Sequence, residues 1–276
     1  MKRLMTTLYI SILSFVSLCA QSSVVFPCRK AEAPTGSQFI TAATGMSAFE
    51  RDSMAYKELC DGNMPQWLKT AVEINDTLYD ASGHIHDVTF YVLPDFITIG
   101  SDDDFFRIPL LPTTAQKIAD HFNASLPTRK ISNLIHRFSD IKMTPHPMTP
   151  DETMTTLPVF VRHDSIIESQ RKMFDKPLGS LIAGHKKDIV ISYLLASNHG
   201  QLFIYGWHYT EGKAIQQLHY RHWDKYVDYS HGTRLVFDEV LIDGKKYSLK
   251  QILSDPNLYA IFSDEDQPFI ETRYLY

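Results

Sequence analysis

The stretch from residue 87 to residue 111 limits this chain more than any other. Three runs rich in β-branched and aromatic residues, DVTFYVL (87–93), FITIG (96–100) and FFRIPLL (105–111), are separated only by PD and SDDD. Runs of this kind suit a pleated, half-buried surface. Parallel neighbours need a crossover of a dozen or more residues, and none is present here, so these strands are expected to form an antiparallel meander. The same texture returns in DIVIS (188–192), GQLFIYGWHY (200–209), GTRLVFDEVLI (232–242) and KKYSL (246–250), with DGKK (243–246) as a hairpin turn. Between the two strand-rich parts lie TTAQKIADHF (113–122), PTRKISNLIHRFS (127–139) and FVRHDSIIESQRKMF (160–174), all with helical period. In the second, Ile131, Leu134, Ile135 and Phe138 share one face behind a Thr128 cap. Further helices are expected at 46–60, 65–74 and 249–256. The order predicts an α+β fold, a mainly antiparallel sheet with helices packed on it.

The first residues read as an address. Lys2 and Arg3 precede LYISILSFVSLCA, an apolar run too short to span a membrane, and Ala20 is the small residue before a cut. Residues 1–20 are expected to be a signal peptide, leaving an exported, periplasmic or extracellular protein without a transmembrane segment. A lipoprotein anchored at Cys19 is the alternative, although Leu18 stands where a small residue is wanted. Residues 21–45, rich in Ser, Thr, Pro, Ala and Gly, read as a flexible arm, and 46–276 as a single α+β domain. The Pro- and Thr-rich segment 140–158 is a lid or an internal boundary. A formal net charge of -5 without any Lys/Arg block gives no nucleic-acid footprint. Cys28 and Cys60 survive the cut and would be able to pair in an oxidising compartment, but their spacing does not decide this.

Half of the twelve histidines fall in the last third: His185, His199, His208, His219, His222 and His231. Histidine is the side chain that titrates near neutrality, so this clustering is the main chemical signal. Gly184, Gly206 and Gly232 each lie within two residues of His185, His208 or His231, as in tight turns at strand ends where sites are built. If YVDYSHG (226–232) is extended, Tyr229 and His231 point to one side and Asp228 and Ser230 to the other. His231, Tyr229, His185 and His208 are therefore the candidate catalytic residues, a phenol and imidazoles for proton transfer in both directions. Arg234, Trp207, His222 and Lys187 are the candidate substrate-binding residues. If residues 219–226 are helical, His219, His222 and Tyr226 share a face. A zinc site is a second option, with His185, His208, His222 and His231 as nitrogen donors and Asp188 or Asp228 as the oxygen donor. His231 and Asp238 have the H-x6-D spacing of zinc D-Ala-D-Ala peptidases, but no histidine follows His231 to complete that set.

SHGTRL (230–235) resembles the SHGC-x-R signature of L,D-transpeptidases. Thr233 stands where the nucleophilic Cys belongs and Arg234 is one residue too close, so the thiolate chemistry that the resemblance implies is missing. LPTRK (126–130), GHKKD (184–188), YGWH (205–208), DYSHGTRL (228–235) and SDE (263–265) together resemble a family of exported bacterial proteins without an assigned activity. That resemblance implies export and a shared fold, and no mechanism.

Two functions are expected from these residues. One is a hydrolase or lyase acting on an envelope or extracellular glycan, peptidoglycan-like, by His/Tyr acid–base chemistry. The other is a non-catalytic exported glycan-binding protein with a His- and aromatic-lined cleft. The leader is open to a direct check: intact-mass measurement of the exported protein is expected to show a chain beginning at Gln21, and a mass retaining Met1 would refute it.

Overall fold

The computed structural model describes residues 26–276, so the signal peptide read over residues 1–20, Cys19 and the first residues of the arm lie outside the described residues. Its elements run α1 (Gly36–Ala43), α2 (Ala48–Cys60), β1 (Val72–Tyr79), β2 (Ile85–Val92), β3 (Thr98–Gly100), β4 (Phe105–Arg107), α3 (Pro112–His121), β5 (Ala124–Ser125), α4 (Arg129–Phe138) and β6 (Ile141–Lys142). They continue with α5 (Leu157–Arg171), β7 (Ile182–Ala183), β8 (Lys187–Ile189), β9 (Gln201–His208), β10 (Ala214–Trp223), β11 (His231–Gly232), β12 (Val236–Phe237), β13 (Glu239–Ile242), β14 (Lys245–Ser248) and α6 (Leu249–Ser254).

The architecture is α+β, and its pairings are antiparallel except β8 with β11 and β6 with β7. A six-stranded sheet runs β14-β13-β2-β12-β5, with β1 also on β2, and a four-stranded sheet runs β10-β9-β8-β11. Strands from both sides of segment 140–158 share the larger sheet, so that segment is not a boundary. It is a strap instead: the Met148 backbone N–H donates to Tyr229 Oη at 2.8 Å, and the Tyr229 N–H to Met154 O at 3.1 Å. One contiguous apolar cluster runs from Phe26 to Tyr274.

Several local expectations hold for the reasons given. Thr128 caps α4 by accepting the Ile131 N–H. Asp243 and Gly244 both take positive φ, as a two-residue hairpin turn requires, and join β13 to β14. Others change. The arm is not flexible over its described part: α1 forms behind a Thr35–Gln38 capping box, with Phe39 fully buried. The helix expected at 65–74 is a short 3-10 turn, Gln66–Lys69, followed by β1. Ile74 and Leu78 point inward and their neighbours outward, a period of two that the helix assignment overlooked. The meander also splits: β2 joins the six-stranded sheet, while β3 and β4 form a hairpin of their own.

The centre of the molecule is charged. Arg107 is fully buried and reaches Asp95 at 2.7 Å, Asp164 at 3.2 Å and Glu168 at 3.2 Å. Asp95 also receives His185 Nε2 at 2.9 Å and the Phe96 N–H at 2.6 Å. Burial would raise the Asp95 carboxyl, but Arg107 and His185 outweigh it and hold it well below the usual range. Removing one member of such a network strands the other charges in a poor solvent. Arg107→Met is therefore expected to cost about 3–5 kcal/mol in urea unfolding; a loss below about 1 kcal/mol, the scale of an exposed ion pair, would show that Arg107 braces nothing.

Candidate functional site

The three histidines expected to meet in one cleft occupy three different settings. His185 is buried on Asp95, with its ring edge against Phe96 and its Nδ1 unpartnered. His208 Nε2 donates to Asn133 Oδ1 (2.8 Å), and its ring stacks on His136 of α4 at 4.7 Å. His231 is fully buried beside Asp228 and Tyr226. Burial lowers all three, to about 4, so each is a neutral imidazole at neutral pH.

The glycines beside them answer to packing. A Cβ on Gly184 would fall 2.2 Å from Met143 O, and one on Gly232 2.5 Å from the Phe96 ring. Those positions are small because backbone and ring press on them, which a sequence cannot tell apart from a site-building turn. Arg234 is likewise absorbed. It donates to Leu93 O (3.0 Å) and Ile182 O (2.7 Å) and lies over Phe96, so it braces the core where a substrate carboxylate was expected.

Tyr229 and His231 do not form the expected couple. The His231 N–H bonds to Asp228 O, so residues 228–231 make a turn, and side-chain alternation begins only with β11. Tyr229 has its hydroxyl on the strap and its ring against His163 at 4.7 Å. Trp207 is buried at φ +54, with Nε1 donating to His185 O and the Lys187 ammonium 5.1 Å from its ring centre. Its indole is therefore not a free face for a sugar.

What does gather is a row of rings that begins on the edge strand β10 and runs into the turn after it. His219 lies 5.3 Å from His222, His222 stacks on Tyr226 at 4.3 Å and 15°, and Tyr226 meets His231 at 5.8 Å. The expected helix does not produce this row. β10 does, through register shifts between Gln216 and His219 and between His219 and His222. A regular strand would place residues three apart on opposite faces; the bulges rotate them together. His222 and Trp223 are exposed, Tyr226 is half-buried, and Lys187 is half-buried on β8 in register with His231.

The inner end of the row is an acid held ionised. The Tyr226 hydroxyl donates to Asp228 at 3.1 Å, and Ser230 donates to the same carboxylate from Oγ (2.5 Å) and N–H (2.8 Å). Burial opposes its charge, but His231, Lys187 and Ser230 bring the Asp228 carboxyl well below its ordinary range. His231 Nε2, 3.7 Å from Asp228, has no hydrogen-bond partner. Among the described residues no group of three or more His, Cys, Asp or Glu side chains is placed to hold a metal ion, so the donors considered for zinc are not assembled. Cys28 and Cys60 are separate free thiols.

Two buried cations escaped the sequence reading. Lys186 is enclosed, donates to Tyr229 O at 2.7 Å, and is pushed down to about 8 by burial. Lys186 lies in the bend just before β8, where no strand alternation in the sequence marks it as inward-facing. Arg51 sits on the stripe of α2 shared with Ala55 and Leu59, a spacing of four that marks it as inward-facing. Comparison of the chain with family models, with curated proteins and with solved structures finds no match.

The buried imidazoles set an acid limit. His185, His208 and His231 titrate near 4 in the folded chain and His163 near 2, against an ordinary value of 6.5. The unfolded chain therefore takes up protons first, and stability that is full above pH 6.5 drains away as pH falls toward 4. Asp52 and Asp188, both raised to about 6 by burial, act oppositely between pH 4 and 6, as do the raised Asp164 and Glu265, but the lowered imidazoles, which also include His136 and His219, outnumber them. The urea midpoint is expected to fall steeply from pH 7 to pH 5, and less steeply in His231→Asn; a flat profile would mean that these rings are not held neutral.

Proposed function

We propose that the protein is exported and binds an envelope or extracellular glycan without cleaving it. The observation that carries this reading is the ring row of His219 and His222 on β10 and Tyr226 in the turn after it, in which His222 and its neighbour Trp223 are exposed. Flat rings open to solvent match the apolar faces of sugar rings, and imidazole and ammonium groups supply donors for hydroxyls. Catalysis by the residues first considered would need their reacting atoms within reach of a substrate. His185, His208, His231 and Tyr229 are instead buried and engaged with Asp95, Asn133, Asp228 and the strap. Binding at an exposed platform needs none of them.

Hydrolysis or β-elimination is the second reading, and the Tyr226–Asp228–His231 chain favours it. That group places a half-exposed phenol on Asp228 and a buried, unpartnered imidazole nitrogen 3.7 Å from the same carboxylate, the residue types that exchange protons in acid–base catalysis. The two readings separate in one experiment with purified peptidoglycan sacculi. Under the binding reading the protein co-sediments, no soluble fragments appear, and His222→Ala with Trp223→Ala lowers the bound fraction about tenfold, a loss in the range of one or two stacking contacts. Soluble products that vanish in His231→Asn would establish the enzyme instead, and no co-sedimentation at all would end the binding reading.

A further inference from the structure

A cavity of about 430 Å³ lies between the start of α2, the start of α5 and the turn after β10. Its lining includes Arg51, Thr156, Leu157, Lys225 and Tyr226. Arg51 is the anomaly. It is 3% exposed, yet its Nε and Nη2 are buried without any hydrogen-bond partner. The guanidinium lies over the Phe160 ring at 4.8 Å, a contact that orients it but accepts none of its protons. Asp52, next in the chain, is turned away to accept the Leu111 N–H at 2.8 Å. A buried guanidinium presenting unsatisfied donors costs far more than an arginine left in water, unless something outside the chain completes it.

The other walls carry the same sign. Lys225 is the second charged residue of the lining, and no carboxylate joins it. α5 is fifteen residues long and begins here, and its N-cap Thr156 makes no side-chain capping bond. Pro158 removes one first-turn N–H, and those of Leu157 and Val159, at the positive end of the helix dipole, suit an anion. We propose that this cavity is an oxyanion-binding site, in which Arg51 forms the forked contact to a carboxylate or phosphate, the α5 N-terminus faces the same group, and Lys225 stands at the mouth. The flat fork of arginine matches both anions. The inference stands apart from glycan binding, since a free anion can occupy the cavity whether or not the ring row holds a sugar. If both are right, Tyr226, which lines the cavity and stacks on His222, places the two sites side by side, and the preferred glycan is an acidic one.

The test uses the purified protein and three probes in calorimetric titration and thermal unfolding: inorganic phosphate, an oligogalacturonate, and the same oligosaccharide as its neutral methyl ester. At least one of the two anions is expected to bind and raise the melting temperature, with at least tenfold weaker binding of the ester. Phosphate alone would identify the oxyanion as phosphate, and oligogalacturonate as carboxylate. Arg51→Met keeps the apolar stem on Phe160 and removes the stranded charge, so it should fold at least as well and lose anion binding thirtyfold or more. Lys225→Glu alters only an exposed side chain and should weaken binding about tenfold, which keeps the test decisive should Arg51→Met misfold. Neither anion binding, or both variants binding anions as the unaltered protein does, would overturn the proposal. Phosphate binding that needs Arg51, in a protein that ignores every glycan, would keep this site and discard the glycan reading alone.

Discussion

Arg107 is the point on which the rest of the structure depends. Its fork ties Asp95, on the turn between β2 and β3, to Asp164 and Glu168 on α5, and through Asp95 to His185 at the start of the smaller sheet. Three parts distant in sequence are therefore fixed by one side chain. Buried ion networks contribute little net stability, because desolvation offsets attraction, but an arrangement that strands a charge is heavily penalised. The network selects a single packing. It also decides which residues are left for function, since His185 and, through Phe96, Arg234 are drawn into the brace.

The sequence was most legible where local chemistry acts alone. The Thr128 cap and the Asp243–Gly244 turn follow from bonds within a few residues, and each is found in place. It was least legible where tertiary contacts decide. Phe39 in the Ser/Thr-rich arm and Ile74 beyond the 3-10 turn find their roles only when the core is present. The glycine-histidine pairs show the limit most plainly. Gly232 must be small because the Phe96 ring occupies the space of its Cβ. That neighbour is 136 positions away in the chain, and nothing local announces it.

The ring row survived its own misreading. His219, His222 and Tyr226 were grouped by helical spacing, but His219 and His222 are on a bulged strand and Tyr226 is in the turn after it. Bulges at an edge serve two ends here. They interrupt the flat ladder that would invite another chain to pair with β10. They also turn His219 and His222 to the same side, where an unbroken strand would separate them. A feature that protects the sheet edge thus creates the platform, and spacing read as a helix reaches the right residues through the wrong element.

Tyr226 joins this platform to the cavity behind it, and the handling of Asp228 makes that junction workable. A buried carboxylate so close to a cationic cavity would ordinarily occupy it, or repel any anion that entered. Asp228 instead accepts from Tyr226 Oη, Ser230 Oγ and the Ser230 N–H. Those donors, with His231 and Lys187 near it, satisfy its charge within the turn. The phenol does this with its hydroxyl while its ring stacks on His222. One side chain thereby helps keep the internal anion occupied, while its ring stays part of the row. The two charges differ in how they are met: the Asp228 carboxylate has three donors, while Nε and Nη2 of Arg51 are buried without a hydrogen-bond partner.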